Sequence, residues 1–353
     1  MVIGVLTFKR ISSGGGIQFR GRTRRYREIG EAAQLDEQLR RRRFDQSMPY
    51  KSGGRARDDR ERGSLWIPQI GATLSGTSVS GIGTTIFVKE FGICFDAGRY
   101  HEGVEGARVY AITHGHSDHI GALHHILRVR GQNRAGSPTP TVVMPNCYKT
   151  NWMNLLKEST LLDAGPHGTP VELKQICSVH PIPYEEESDV NVPLAKGLRM
   201  KSLPMDHRVP TCAYVLMGSR RTVLEQYRNL PNKEIRRLVK AGEHVIEVTE
   251  EPVLGFTGDT TIDGIMKHES LLRARVLIME CTFMCDRTWK KAADTKHIHL
   301  EQLGQNADAF ENEVIVLMHT SERYKYREAS MRVMDLETRF PQLRGRLLLW
   351  KNP

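Results

Sequence analysis

The chain has 353 residues, a formal net charge of +10 and 39% apolar residues. No apolar run reaches the roughly 18 residues that a spanning helix needs, which excludes a protein built on membrane helices. The six cysteines, at 94, 147, 177, 212, 281 and 285, form no Cys-x-x-Cys pair, so reduced intracellular thiols are expected rather than a disulfide framework; Cys281 and Cys285, four apart, are only a weak metal signal.

Charge is unevenly placed. Residues 1–63 carry 16 Lys/Arg against 8 Asp/Glu, a net of +8, which leaves about +2 for residues 64–353. Net charge is therefore no argument that the larger part binds nucleic acid. Residues 1–27 contain seven Lys/Arg and no acid. That composition fits a presequence for a mitochondrion or another organelle, although only Ser12 and Ser13 supply serine; the alternative is a disordered tail on a cytosolic or nuclear protein. Met1 to Phe8 is too short for a secretory core and has no basic residue before it. A charged helix is expected over 28–45 around Leu35 and Leu39, then a flexible Gly/Arg/Asp-rich linker over 51–63.

From Trp66 the texture changes. Gly71 to Gly83 is rich in Gly, Ser and Thr. Thr84–Val88 and Ile93–Phe95 read as strands joined by a turn at Glu90-Phe91-Gly92, and Asp96-Ala97-Gly98 closes the second. Arg108–Thr113 and Thr141–Met144 are the next expected strands, and Lys149–Ala164 a helix. Strands alternating with helices to the end give an α/β fold class. No repeat is visible at the residue level.

Residues 113–119 read Thr-His-Gly-His-Ser-Asp-His. His114, His116, Asp118 and His119 put three imidazoles and a carboxylate into six positions after an apolar strand and before a helical start at Ile120 to Leu123. Imidazole and carboxylate both bind zinc, and a turn this dense in ligands can serve two ions. Three more ligand-type residues stand at strand ends: His207 before the run Cys212 to Met217, Asp259 after Val253-Leu254-Gly255, and His319 after Val314–Met318. Together they supply three or four ligands for each of two metals. His101, His124, His125, His167, His180, His244 and His268 have no such context and are read as structural or surface residues.

These motifs resemble those of ribonuclease Z, the tRNA 3′-processing endonuclease family of the metallo-β-lactamase superfamily, most closely its short plant form. The likeness runs from about Ile67 to the end. Asp96 matches the first motif, the 113–119 turn the second, His207 in His-Arg-Val-Pro the third, Asp259 in Phe-Thr-Gly-Asp-Thr the fourth and His319 in Leu-Met-His-Thr-Ser the fifth. A family box of the His-Glu-Ala-Thr type reads Met279-Glu280-Cys281-Thr282 here, with the Glu kept and His and Ala replaced; a second box reads His297-Ile298-His299.

The resemblance implies an αββα sandwich over residues 64–353, a basic N-terminal extension over 1–63, and two Zn2+ ions, with Mn2+ as the alternative metal. It assigns His114, His116 and His207 to one metal, Asp118, His119 and His319 to the other, and Asp259 to a bridge. It implies a hydroxide held by the metals that attacks a phosphodiester, Asp118 as general base, His297 as the acid for the leaving group with Glu280 orienting it, and Asp96 orienting a ligand histidine. Precursor tRNA is the implied substrate, cut after the discriminator base, and a homodimer without membrane association the implied assembly.

The arm that many members carry between the third and fourth motifs is short. A basic insertion over 218–245 holds Arg220, Arg221 and an expected helix with Lys233, Arg236, Arg237 and Lys240 as candidate RNA contacts, a solvated amphipathic helix around Ile235, Leu238 and Val239 being the other reading. Arg323, in Ser-Glu-Arg-Tyr, is the further candidate for RNA, against a surface pair with Glu322 or a nearby acid. Two rival functions stand: a small-molecule hydrolase of the same fold (phosphodiesterase, lactonase or arylsulfatase), and a non-catalytic RNA-binding assembly subunit. The Glu280/His297 pair and the basic stretch weigh against the first, and the full ligand set against the second.

Overall fold

The computed structural model describes residues 63–353 apart from 134, 135 and 196. The expected presequence, the helix over 28–45 and all but the last residue of the 51–63 linker lie outside the described residues.

Fourteen strands among the described residues form two seven-stranded sheets. The first holds β1 Ser64–Ile67, β2 Ala72–Val79, β3 Gly83–Val88, β4 Ile93–Phe95, β5 Val109–Ala111, β6 Thr141–Pro145 and β7 Ser178–Ile182, in chain order. The second holds β8 Ser188–Val190, β9 Leu198–Pro204, β10 Cys212–Val223, β11 Ile246–Phe256, β12 Val276–Glu280, β13 Val314–Met318 and β14 Leu347–Leu349. In the first sheet β1 to β4 are antiparallel and β4 to β7 parallel. The second repeats the plan, β8 to β11 antiparallel and β11 to β14 parallel.

The sequence of the central strands explains the layering. Val276-Leu277-Ile278-Met279 is apolar at every position because both faces are covered. Val276 and Ile278 join Phe95, Tyr214 and Phe256 in the core between the sheets, where Phe95 stacks on Phe256 at 4.7 Å. Leu277 and Met279 face Leu300, Leu303, Val333 and Leu336, from the helices Leu300–Gln305 and Tyr326–Arg339. On the outer face of the first sheet, Tyr110 and Val142 meet Ile126 and Leu127 of the helix Leu123–Asn133, and Trp152 and Leu156 of the helix Lys149–Ala164. The result is the expected four-layer αββα sandwich.

The Gly/Ser/Thr-rich stretch, to which the sequence assigned no element, contains β2, in which Leu74 is buried. Two readings of the sequence change. The alternation of strand and helix lapses over β8 to β10, which among the described residues follow one another as an antiparallel meander without a helix between them; the helix Asn232–Lys240 lies in the connection from β10 to β11. The insertion expected to start at 218 begins inside β10, which pairs with β11 from Gly218↔Glu251 out to Val223↔Ile246. Among the described residues no helix is long and apolar enough to cross a membrane, and all six cysteines are free.

Candidate metal centre

The carboxyl ends of β4, β5, β11, β12 and β13 carry Asp96, the 113–119 turn, Asp259, Glu280 and His319 towards one edge of the sandwich. His116 caps the helix Ser117–Ile120, so Asp118 and His119 lie in its first turn. Close backbone packing holds this turn. A Cβ on Gly98 would sit 1.8 Å from the Asp118 carbonyl oxygen, and one on Gly258 (φ +59) would meet the Thr113 side chain at 2.7 Å. Asp96, Lys296 and His319 are the non-glycine residues with positive φ among those described, at 55, 54 and 57. Each such residue costs about 1–3 kcal/mol, and all three stand at this site.

Two groups of ligand atoms result. His114, His116, His207 and Asp259 form one, and Asp118, His119 and His319 the other, with the atoms of each group within 4.8 Å of one another. Asp259 reaches both: its Oδ2 lies 3.7 Å from His114 Nε2 and 3.3 Å from His119 Nε2. The residues fit a pair of cations. His207 Nε2 and Asp259 Oδ1 are buried without a hydrogen-bond partner. Ring nitrogens face each other at 2.9 Å between His114 Nε2 and His116 Nδ1, and at 3.3 Å between the Nε2 atoms of His119 and His319. The imidazole-and-carboxylate donor set suits zinc.

Electrostatics favours ligation at three of the histidines and opposes it at a fourth. Burial holds His114, His116 and His207 below the usual imidazole range, which favours the neutral, ligating form. At His119 burial is outweighed by the Asp259 and Asp96 carboxylates, which hold the proton more tightly. At Asp118 burial is outweighed by His319 and His119, which keep the carboxyl well below the usual carboxylate range.

Buried carboxylates and threonines orient the imidazoles. Asp96 accepts from the Thr113 N–H at 2.8 Å and from His119 Nδ1 at 2.7 Å, which leaves His119 Nε2 to point at the centre. The Thr113 hydroxyl lies 3.0 Å from Asp96 Oδ1 and 2.9 Å from His114 Nδ1. On the other sheet Glu280 Oε1 accepts from the Thr260 N–H at 2.9 Å and from His297 Nδ1 at 2.8 Å. Its Oε2 accepts from the Thr282 hydroxyl at 2.7 Å, and that hydroxyl lies 2.9 Å from His319 Nδ1. His207 Nδ1 donates to the Lys296 carbonyl at 3.0 Å, and the Gly81 N–H to Asp118 Oδ2 at 2.8 Å. The sequence reading missed Thr113, Thr282, Gly81 and Lys296 in these roles.

His297 stands at the rim of the centre, its side chain 10% exposed. Burial pulls its imidazole down, but the Glu280 carboxylate outweighs that and pushes it up to about 9. It also lies within a third ligand-type group with Asp259 and His319. His299 is elsewhere: buried, capping the helix Leu300–Gln305 and stacked on Trp289 at 4.3 Å. Arg323 makes no pair with Glu322. Its Nε donates to Ser321 Oγ at 2.9 Å and its guanidinium lies 5.5 Å over the Phe283 ring.

The helix Asn232–Lys240 is not brought to the centre. The ten residues Tyr214 to Val223 of β10 carry the ribbon about 30 Å out from the centre before the chain enters this helix. None of its residues is buried, and Arg237 is taken by Glu234 at 2.6 Å, while Lys233, Arg236 and Lys240 are exposed.

No family model matches the chain. It is 30% identical over 280 residues to tRNase Z TRZ1 of Arabidopsis thaliana, covering 78% of this chain and 94% of that protein. It is 28% identical over 269 residues to the chloroplastic tRNase Z TRZ2 of the same plant, covering 75% and 72%. Among solved structures it resembles human tRNase Z, short form, with a TM-score of 0.50 at 16% identity over 80% of this chain and 96% of that one. The metallo-β-lactamase fold protein YhfI of Bacillus subtilis gives 0.51 at 13% identity, over 78% and 94%. At these identities the solved structures speak for the fold alone.

Proposed function

This chain belongs to the tRNase Z family of metal-dependent endoribonucleases, and on that premise we propose that it removes the 3′ trailer of precursor tRNA by hydrolysing the phosphodiester after the discriminator base. The observation that carries the reading is the 2.8 Å pair between His297 Nδ1 and Glu280, placed beside both ligand groups. A small-molecule hydrolase with a good leaving group has no need of a proton donor there; an RNA alkoxide does.

We assign His114, His116 and His207 to one metal, Asp118, His119 and His319 to the other, Asp259 between them, and zinc as the ion, with manganese the alternative. Such ions, when bound, lower the pKa of water towards about 7 and stabilise charge on phosphoryl oxygens. Asp118, fixed by the Gly81 N–H, takes a proton from the attacking water. His297, with Nδ1 held by Glu280, gives its Nε2 proton to the O3′ of the discriminator nucleotide as the P–O3′ bond breaks. The water oxygen ends on phosphorus, so the tRNA leaves with a 3′-hydroxyl and the trailer with a 5′-phosphate. Mass analysis of the two fragments tests this. A trailer ending in a 5′-hydroxyl would overturn it, and no cut by zinc-loaded protein would return the choice to a small-molecule hydrolase or a binding subunit.

The acid-free basic stretch 1–27 and the chloroplastic relative support reading the N-terminus as an organellar address. A reporter fused behind residues 1–63 tests it by where the signal goes. A homodimer is the assembly proposed from the family, and light scattering of the purified protein decides it.

A further inference from the structure

Phe283 follows the Glu280 box and is 3% exposed. Its backbone bridges to His299, and its N–H bonds the Ile298 carbonyl at 3.2 Å, so the ring is fixed. On one side it meets the His297 ring edge to face at 6.2 Å. Two cations stand over it: Arg323 Cζ at 5.5 Å, from the loop after β13, and Lys291 Nζ at 6.0 Å, from the helix Trp289–Thr295. Each gains a little from the ring face but repels the other.

Three nearby cations are neutralised. Lys290 pairs with Asp294 at 2.7 Å, Lys296 with Asp206 at 2.7 Å and Arg332 with Glu328 at 3.1 Å. Among the described residues neither Lys291 nor Arg323 pairs with a carboxylate. Two unneutralised cations, one ammonium and one guanidinium, converging on a single ring next to the acid His297 make a phosphate site.

We propose that Lys291 and Arg323, over Phe283, clamp the RNA phosphate on the 5′ side of the discriminator nucleotide, the retained side of the cut. This rests on the reading in which His297 protonates the O3′ of that nucleotide. The ribose then lies against His297, and the phosphate one step further from the metal groups is the one on its own 5′ side. Trailer phosphates lie across the scissile phosphorus. The clamp grips backbone, so it serves all four discriminator bases alike.

The test uses the full, zinc-loaded chain and precursor RNAs with one uncharged methylphosphonate, either 5′ of the discriminator nucleotide or at the first phosphate within the trailer. For the wild type, neutralising the 5′ phosphate should raise KM on the order of tenfold or more, as loss of a charge-assisted contact does, and the trailer position should do less. The double variant Lys291→Ala/Arg323→Ala should show that loss already on unmodified RNA, more in KM than in kcat, and lose no more with the methylphosphonate; Lys291→Arg should keep the wild-type sensitivity. Zinc content and melting temperature show that each variant is folded. A double variant as sensitive as wild type to the 5′ methylphosphonate, or sensitivity confined to the trailer position, would overturn the clamp. Wild type that leaves unmodified precursor uncut would instead overturn the reading beneath it.

Discussion

Asp96 and Glu280 are buried carboxylates that do the same work on opposite sheets. Each is 0% exposed and each holds one imidazole directly and another through a threonine hydroxyl. An unpaired carboxylate in such a place would be strongly disfavoured, so the hydrogen bonds both stabilise the charge and fix the rings. The two sets differ in use: His114 and His119 are both ligand-type, whereas Glu280 serves His319 and His297, the proposed acid. The pH profile should show this. A pKa raised to about 9 keeps His297 protonated below that value, and activity is lost as pH rises through it. Cations bound at the centre lower the limb from there, so it should fall no higher than about pH 9. Glu280→Gln removes the carboxylate and should move the limb to lower pH; an unmoved limb would free Glu280 of that role. His297→Ala should cut turnover about 10²–10⁴-fold with zinc content unchanged; lost zinc would make His297 a ligand. Thr282→Val should weaken zinc retention about 10–100-fold in competition with a chelator, and Thr282→Ser should restore it. Undiminished retention in the valine variant would remove Thr282 from the site. Histidines and acids at strand ends were legible because their chemistry is rare there. Thr113 and Thr282 were not, since threonine is an ordinary strand residue and its role depends on which ring the fold brings within 3 Å. Gly81 and Lys296 act through backbone atoms, which every residue has.

At the scale of elements the two sheets follow one plan. β1–β7 and β8–β14 share one pairing plan, and β4 and β11 lead to the acids Asp96 and Asp259. No residue-level repeat betrays this, because the shared feature is strand direction and order. Lys149–Ala164 and Val314–Met318 match the sequence reading because each has one dominant pattern, a long helical run and a continuous apolar strand. The run β8–β10 was misread as alternating with helices because a strand's pattern signals its class but not its neighbours, whereas the helix expected around Lys233 to Lys240 is present between β10 and β11. The β10–β11 ribbon gives the basic helix Asn232–Lys240 reach rather than a place at the centre. If its free cations meet tRNA phosphates there, replacing Lys233, Arg236 and Lys240 by alanine should flatten the dependence of log affinity on log salt by about 2–3. An unchanged slope would make it the solvated helix of the alternative reading.

Across the whole site the proposed ligands come from both halves: His114, His116, Asp118 and His119 from loops of the first sheet, His207, Asp259 and His319 from the second. Protein bonds already join the halves there. His319 N–H donates to Ser78 Oγ at 3.0 Å, Val79 bridges Thr320, and the Asn352 amide holds the Ser78 N–H and carbonyl at 2.7 and 3.0 Å. Bound metal adds a further tie, so chelation should lower the melting temperature by about 5–10 °C from a state with metal at 100 times its dissociation constant. Zinc affinity should rise with pH, since His119 must give up the proton that Asp259 and Asp96 stabilise. A melting temperature indifferent to chelator would mean that the two groups hold no ion. The most direct test of the account is cleavage of a precursor tRNA carrying a 3′ trailer, by zinc-loaded wild type beside His116→Ala. One cut after the discriminator base is expected in the wild type and none in the variant. An intact precursor with zinc-loaded wild type, or a variant that cuts at the wild-type rate, would contradict it.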